Sequence, residues 1–512
     1  MPGVRDVTTA RAPLGDLVRR LRAEYPVFRI EDARAVPDAS GVRLEFAFAA
    51  GELRFRPVLE LTGLRPDEAG RVGTVTARRM IRALAIVEAF SYWKALCSPV
   101  IEVALPAPDA AELRWWQGFW PGAMGEFCYR NGLDYTAPEF LVIRGPAGGE
   151  DPGGGGAADV ADAADVADAA DGADTANWAN TAYEAGAAYE AGAAGAGPPL
   201  VLFSGGKDSL ALARIVAASA GAGAPVDFFL YNPGQRLRDL AGSLAAGGRL
   251  VEARRTILPE LLRLNAAGHP NGHTPFSAYL ALAAMLTGYL RGSGPVMAGN
   301  SRSDDEPNVA SYLGRPVNHQ WTKSYEFEAA LRSYRDRWLP GAPGYSSPLR
   351  PLYELQIIAS LAGDVDAYLR TASCNRVPAG GWCRSCAKCA WVFLATAALF
   401  GHDLAIRKTG GDMFADPRLS GVYQEMAGLT GTKPFECTGS EDEVRAAIQA
   451  VGQGRPPDAY PALAACLRSP AVAGARPLAA LLADWGRDEL VPATVLGQVR
   501  TARAEAAARL AR

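Results

Sequence analysis

Residues 200–209 read Leu-Val-Leu-Phe-Ser-Gly-Gly-Lys-Asp-Ser, and their types and order suit the holding of a phosphate. Two adjacent glycines let the backbone turn tightly and approach an anion with no Cβ in the way. A helix beginning just beyond them turns free N–H groups and the positive end of its dipole toward the same anion. Lys207 and the hydroxyls of Ser204 and Ser209 add donors. Asp208 is the residue to assign to magnesium, which usually combines one or two carboxylates with substrate phosphates. The spacing is not that of a Walker A loop, which places four residues between its first glycine and Gly-Lys.

Four of the eight cysteines form a second cluster. Cys374, Cys383, Cys386 and Cys389 are separated by eight, two and two residues. Two Cys-x-x-Cys turns sharing a sulfur, with one more thiolate, supply the four ligands of a closed tetrahedral zinc site. A full protein shell leaves no position for water, so the role expected for the zinc is structural. Cys97, Cys128 and Cys466 have no partners by spacing. Candidates for proton transfer are His273 in Asn-Gly-His, His319 in Asn-His-Gln-Trp, and Cys437, which lies near Glu436 and Lys433. Histidine is the most common general base. Lys323 and Arg302 suit phosphate or carboxylate contacts, with Arg350 and Arg376 as further candidates. His402 follows the zinc segment and reads as structural.

Positioning these groups requires strands that alternate with helices. Leu200–Phe203 and Val226–Tyr231 are short apolar runs, and residues 295–298 follow a long apolar helix over 276–290. Such alternation predicts a parallel sheet covered on both faces, with ligands beyond the carboxyl ends of its strands. The polar string Gly299-Asn-Ser-Arg-Ser-Asp-Asp-Glu306 follows one such end, so Asn300 and Arg302 are expected to border a nucleotide. Upstream, strand signals over 42–49 and 53–61 precede a helical pattern over 77–94. Two polar-aromatic strings there, Ser91–Lys94 and Gly125–Gly132, fit either a ligand surface or helices with buried aromatics. Strand and helix mixed in this way predict an α+β N-terminal domain.

The whole chain of 512 residues is too long for one core. The expected division is an N-terminal substrate-binding domain (1–144), a disordered acidic insert (145–197), a nucleotide-binding domain carrying the cysteine cluster (198–439) and a helical C-terminal extension (440–512). The insert is mostly Ala, Gly and Asp, too poor in large apolar residues to offset its ordering entropy. With 49% hydrophobic and 21% charged residues and a net charge of −3, the composition is that of a soluble globular protein. No basic stripe points to nucleic acid. No run has the length of a membrane span and no apolar N-terminal segment suggests export, so a cytoplasmic location is expected. No obligate protein partner is evident.

The string Ser204-Gly-Gly-Lys-Asp-Ser209 resembles the pyrophosphate loop (PP-loop) of the N-type ATP pyrophosphatases, which cleave ATP to AMP and pyrophosphate and adenylate a substrate oxygen. That resemblance implies an α/β core of the adenine nucleotide alpha hydrolase-like type, binding ATP and Mg2+. With the cysteine spacing it is also similar to 7-cyano-7-deazaguanine synthase, a shorter enzyme with nothing like residues 1–144. Further strings are similar to the UDP-N-acetylmuramoyl-L-alanyl-L-glutamate epimerases of the MurL type. These are Gly125-Glu-Phe-Cys-Tyr-Arg-Asn-Gly-Leu-Asp134, Asn271-Gly-His-Thr-Pro275, Val317-Asn-His-Gln-Trp-Thr-Lys-Ser324, Ser373-Cys-Asn-Arg376 and Lys433-Pro-Phe-Glu-Cys-Thr-Gly439. They occur in order between about residues 80 and 440. The chain departs from that family at Gly299–Glu306, which leaves the roles of Ser301 and Asp304 open.

The resemblance implies an isomerase that inverts the terminal L-glutamate of a nucleotide-sugar dipeptide at the expense of ATP. Adenylation would neutralise the carboxylate beside Cα, and the acid–base pair would come from His273, His319, Cys437 and Lys323. Thiols also serve cofactor-independent amino-acid racemases. Three other readings compete. An adenylating ligase would form an amide or nitrile and need an ammonia source. A tRNA-thiolating enzyme would need a nucleic-acid surface. A nucleotide sensor would have no use for Asp208.

Overall fold

The computed structural model describes residues 14–146, 197–221, 223–377 and 381–510. The segment expected to be a disordered acidic insert lies almost wholly outside them. Thirteen strands are present among the described residues. They are β1 (Val27–Pro37), β2 (Gly41–Ala50), β3 (Leu53–Phe55), β4 (Val58–Thr62), β5 (Val100–Val103), β6 (Val142–Arg144), β7 (Leu200–Leu202), β8 (Asp227–Tyr231), β9 (Leu250–Arg255), β10 (Val296–Met297), β11 (Val309–Tyr312), β12 (Arg315–Val317) and β13 (Tyr345–Ser346). Eleven of them make one sheet in the order β13-β10-β7-β8-β9-β4-β2-β1-β5-β6, with β3 paired to β2. β11 and β12 form a separate hairpin.

One end of the sheet, β13-β10-β7-β8-β9, is wholly parallel. Its central strands are short apolar runs, as burial on both faces demands. From β7 the chain moves outward through β8 to β9, then returns to the other flank of β7 as β10 and β13. The strand order therefore reverses between β7 and β10, the place where an open α/β sheet leaves a crevice at its carboxyl edge. Residues 204–209 leave β7 and residues 299–306 follow β10, so both strings face that crevice.

The sheet continues past β9. Antiparallel pairing of β9 with β4 places Leu61 opposite Ala253 and Leu59 opposite Arg255, so strands from both sides of the acidic segment share one sheet. One apolar core spans both parts, with Leu84 and Phe90 of helix Val75–Trp93 and Leu282 and Leu286 of helix Phe276–Arg291 in a single cluster. Both helices are buried around most of their circumference, as the low polarity of their sequences requires. A second core lies under the C-terminal helices. Helix Ala387–Phe400 and helix Glu441–Gly452 pack there with the helix Lys207–Ala220 that follows β7. No helix among the described residues is long and apolar enough to cross a membrane.

One expected boundary is corrected. The single strand over 53–61 is two, because Pro57 has no N–H for the ladder and breaks it between Phe55 and Val58. The helix after β7 begins at Lys207, with Gly206 as N-cap, which puts Lys207, Asp208 and Ser209 in its first turn. The final helix begins at Ala493. The aromatic strings divide as buried helices do, with Tyr92, Trp93 and Phe127 inside the core.

Helix Ala110–Arg130 carries one functional group into the site and tolerates no bulk on the face toward Trp321. A Cβ on Gly122 would lie 2.6 Å from Cδ2 and 2.8 Å from Cζ2 of that indole. Gly122→Ala should therefore lower stability by about 1–3 kcal/mol through overpacking, despite alanine's better helix propensity. Thermal denaturation of the variant would show an unchanged or raised melting temperature if the packing argument were wrong.

Candidate active site

The loop after β7 has the conformation its sequence requires. Gly205 lies at φ +73°, where a side chain is strained. A Cβ on Gly206 would crowd the Ser373 Oγ at 3.3 Å and the Ser204 Oγ at 3.5 Å. Ser209 Oγ donates to the Gly206 carbonyl at 3.0 Å, and Ser204 Oγ lies 3.4 Å from Ser209 Oγ. A helix of 14 residues starts here, so its first N–H groups face the crevice without intrahelical partners.

Lys207 is buried between acids. Its Nζ lies 2.7 and 2.9 Å from the Asp208 carboxylate oxygens and 3.0 Å from Glu354 Oε2. Glu354 also accepts from Trp391 Nε1. Burial raises the Asp208 pKa, Lys207 opposes this, and the nearby Glu354 and Asp304 carboxylates add to the rise. Asp304 is raised for the same first reason, with Glu354 and Cys437 adding to it and Lys323 opposing. This corner therefore holds more negative charge than Lys207 balances, and a divalent cation would relieve it.

These groups and the acid–base candidates line one cavity of about 920 Å³. The loop residues Ser204 to Ser209, Asn300, Asp304, His273, His319, Lys323, Glu354 and Cys437 all border it. Asn300 donates to Ser347 Oγ at 2.9 Å and to the Tyr345 hydroxyl at 3.1 Å. Arg302 is not brought to the cavity. Its guanidinium stacks over Tyr353 at 4.4 Å and pairs with Asp484 at 3.3 Å. Arg350 is a buried brace between the Ser301 carbonyl and Glu328. Arg376 pairs with Glu436 at 3.1 Å. His402 bonds Asp412 at 3.0 Å among Phe393, Phe414 and Tyr460, as a structural residue does.

His273 and His319 meet at a residue that sequence reasoning did not single out. The Glu126 Oε2 lies 2.5 Å from His319 Nδ1 and 3.1 Å from His273 Nδ1, and the two rings meet edge to face at 4.9 Å. Glu126 is 4% exposed and also pairs with Arg130 at 3.2 Å. Since a carboxylate only accepts, the His319 Nδ1 carries hydrogen and its Nε2 is turned elsewhere, while the His273 Nδ1 stands beside the same oxygen. His319 hydrogen-bonds Cys437 as well. These three side chains have the composition of a two-histidine, one-carboxylate metal set. Here the carboxylate is instead hydrogen-bonded to one imidazole and stands beside the other. The sign in the sequence was a lone carboxylate in the apolar run Ala123-Met-Gly-Glu-Phe-Cys128, a residue type almost never buried unless paired. Glu354 gave no comparable sign.

Electrostatics separate the two imidazoles. Burial lowers His273, and the cations His319, Lys94 and Arg130 assist against the pull of Glu126, bringing it to about 4. Burial also opposes charge on His319, but Cys437 and Glu126 outweigh it and push the ring up to about 9. Burial works against a Cys437 thiolate, yet Lys323, Lys388 and His319 overcome it and bring the thiol down to about 5. Lys323 Nζ lies 3.3 Å from Cys437 Sγ, 3.0 Å from Gln320 Oε1 and 3.9 Å from Asp304. At neutral pH the site thus holds a thiolate, an imidazolium, a carboxylate and one neutral imidazole.

The cysteine cluster forms on the same side of the molecule, with Cys374 also lining the cavity. The four sulfurs lie within 4.8 Å of one another, with Cys383–Cys389 at 3.7 Å and Cys386–Cys389 at 3.5 Å. Tetrahedral zinc with Zn–S bonds of about 2.3 Å puts sulfurs about 3.8 Å apart, so the cluster is compatible with zinc.

An α/β fold with a phosphate-type loop and a thiolate–imidazolium–carboxylate series in one cavity defines an enzyme. The chain belongs to the MurL family. The MurL N-terminal domain matches residues 19–151 and 166–347, and the MurL C-terminal domain matches residues 370–470. It is 32% identical over 414 residues to UDP-N-acetyl-alpha-D-muramoyl-L-alanyl-L-glutamate epimerase of Salinispora tropica, covering 79% of each chain. The proteins of the same name from a Micromonospora species and from Xanthomonas oryzae are 32% and 29% identical. They cover 79% and 75% of this chain, and 81% and 76% of their own. No solved structure matches the chain with significance.

A thiol brought to about 5 is almost fully ionised at neutral pH, whereas a free cysteine, at about 8.5, is not. Iodoacetamide labelling of Cys437, followed by peptide mass spectrometry, should be independent of pH from 6.5 upward and fall below 5. Lys323→Met removes the cation that favours the thiolate, so its labelling should still be climbing above pH 7. A wild-type profile centred near 8.5 would refute this electrostatic assignment.

Proposed function

We propose that this protein converts UDP-N-acetylmuramoyl-L-alanyl-L-glutamate to its D-glutamate epimer, using ATP as a co-substrate and releasing AMP and pyrophosphate, in peptidoglycan precursor synthesis. One observation carries the reading: the Ser204–Ser209 loop and the Cys437–His319–Glu126–His273 series border a single cavity, in a chain whose relatives bear that epimerase name.

Removing a Cα proton beside a carboxylate places a second negative charge next to the first. Adenylation neutralises that carboxylate and makes the acyl group an electron sink. The loop supplies what such activation requires. Its glycines admit phosphate oxygens, the helix start offers N–H donors, and Lys207 offers a buried cation. In this PP-loop reading Asp208, with Asp304 and Glu354 close by, would hold Mg2+, which screens phosphate charge when bound. Zinc at Cys374, Cys383, Cys386 and Cys389 would fix the segment between β13 and helix Ala387–Phe400 against the loop, with no part in the chemistry.

Inversion requires a base at Cα that is not already protonated. His273 fits, because burial keeps its ring neutral and Glu126 stands 3.1 Å from its Nδ1, so that a hydrogen on Nδ1 would leave Nε2 with a free lone pair. His319 is protonated and positioned to return a proton or to support Cys437. Lys323 stands beside the thiolate, where negative charge gathers.

Incubation with the L-glutamate substrate, ATP and Mg2+ in deuterated water should yield D-glutamate carrying deuterium at Cα, with AMP and pyrophosphate. Pyrophosphate without inversion would favour an amide-forming ligase lacking its amine. Asp208→Asn should reduce pyrophosphate release by at least about 100-fold, or roughly 2.7 kcal/mol of barrier; retained release would remove Asp208 from the phosphate site. Cys389→Ala should lose one zinc per chain by elemental analysis, and an unchanged zinc content would dissolve the four-cysteine assignment.

A further inference from the structure

The groups around Cys437 are arranged for attack on carbon as well as for proton transfer. The Sγ lies 3.3 Å from Lys323 Nζ. His319 hydrogen-bonds it, and the other nitrogen of the same ring, Nδ1, is held by Glu126 Oε2 at 2.5 Å. Thiol, imidazole and carboxylate in series, with the carboxylate fixing tautomer and ring orientation, is the logic of an activated nucleophile. A group acting only as a base at Cα has no need of a third residue to orient its partner. The site already offers a separate neutral base in His273.

Position agrees with this role. Cys437 borders the same cavity as the Ser204–Ser209 loop. Lys323 stands between them, 3.3 Å from the sulfur and 3.9 Å from Asp304, while Asp304 in turn faces Asp208. One cationic side chain therefore separates the sulfur from the corner where phosphates would sit.

We propose that Cys437 is a covalent nucleophile, which takes the glutamyl α-acyl group from the adenylate as a thioester before Cα is inverted. The inference rests on the adenylation reading above. In the first step the thiolate attacks the acyl carbon, a C–S bond forms, and the C–O bond to phosphorus breaks with its electron pair leaving on AMP. The thioester carbonyl, poorly conjugated with sulfur, is the better sink for a Cα carbanion. One proton leaves Cα and one returns on the opposite face, so protons balance. Water then attacks the acyl carbon, the C–S bond breaks and its electron pair returns to Sγ. His319, left neutral once it has given its proton to the opposite face of Cα, takes one proton of that water; the other leaves with the product acid, and the proton that His273 took from Cα returns to solvent.

The test uses the full-length protein in excess over UDP-N-acetylmuramoyl-L-alanyl-L-glutamate, with ATP and Mg2+, quenched in acid at intervals across one turnover. The intact mass should rise by the substrate less one water, on the peptide containing Cys437, and neutral hydroxylamine should remove the increment. AMP should appear in a burst equal to the enzyme that becomes acylated. Cys437→Ala should carry no adduct and invert at least about 100-fold more slowly, while substrate-dependent exchange of labelled pyrophosphate into ATP remains measurable. Inversion by the wild type with no adduct at any interval would overturn the proposal and make Cys437 a base. Loss of pyrophosphate exchange from both proteins would instead overturn the adenylation reading, and the thioester with it.

Discussion

The site depends on one buried carboxylate. Glu126 sits on a helix that packs in the N-terminal part of the core, yet its Oε2 hydrogen-bonds His319 and lies 3.1 Å from His273 Nδ1, two residues on later loops. A buried anion with no partner would be costly, so the two imidazoles and Arg130 are required by it as much as it is required by them. Its reach makes the two halves of the sheet one functional unit. The bond to His319 Nδ1 also sets which nitrogen that ring turns to the cavity.

The charged neighbours of each ring explain why two adjacent histidines behave oppositely. Each is buried, and burial alone would lower both. His319 has two anionic neighbours, Glu126 and Cys437, and stays protonated. His273 shares only Glu126, and faces Lys94, Arg130 and the charged His319. One proton therefore settles on one ring and excludes itself from the other. Lys94 contributes twice, since its Nζ also donates to the Gly272 carbonyl at 2.8 Å and fixes the residue before His273. Two groups of one chemical type thus hold an acid and a base ready together, the separation that proton-transfer sites require.

Much of this was legible in the sequence where chemistry and local structure coincide. The phosphate-type loop announced itself because glycines, lysine and aspartate follow an apolar strand. The cysteine cluster was legible from spacing alone, since short turns bring such sulfurs together. His273, His319, Cys437 and Lys323 were visible as residue types, and the structure brings all four to one cavity. What brings them together was not visible. Glu126 and Glu354 act across long sequence separations, and no local pattern encodes a partner far along the chain. Arg302 shows the converse: its place in a polar string after β10 pointed to a ligand, yet Asp484 and the face of Tyr353 hold it elsewhere. β1 and β9 were not anticipated either, because polar residues alternate through strands whose burial is settled by neighbours in the sheet.

The continuity of the sheet also bears on the acidic segment. The chain leaves the described structure just after β6, at one edge of the sheet, and returns at β7 between β10 and β8. Those strands are seven places apart in the sheet order, so at roughly 4.8 Å per place they lie about 34 Å apart across the sheet. About 10 extended residues reach that far, and the sequence supplies several times that number between residues 144 and 200. Most of the segment's length is thus not needed for topology. Loop-closure entropy grows only with the logarithm of length, so each doubling adds about 0.6 kcal/mol. A long connection at an edge strand is cheap because the contacts that define the site, Glu126 to His273 and His319 and β4 to β9, are made by residues on either side of it.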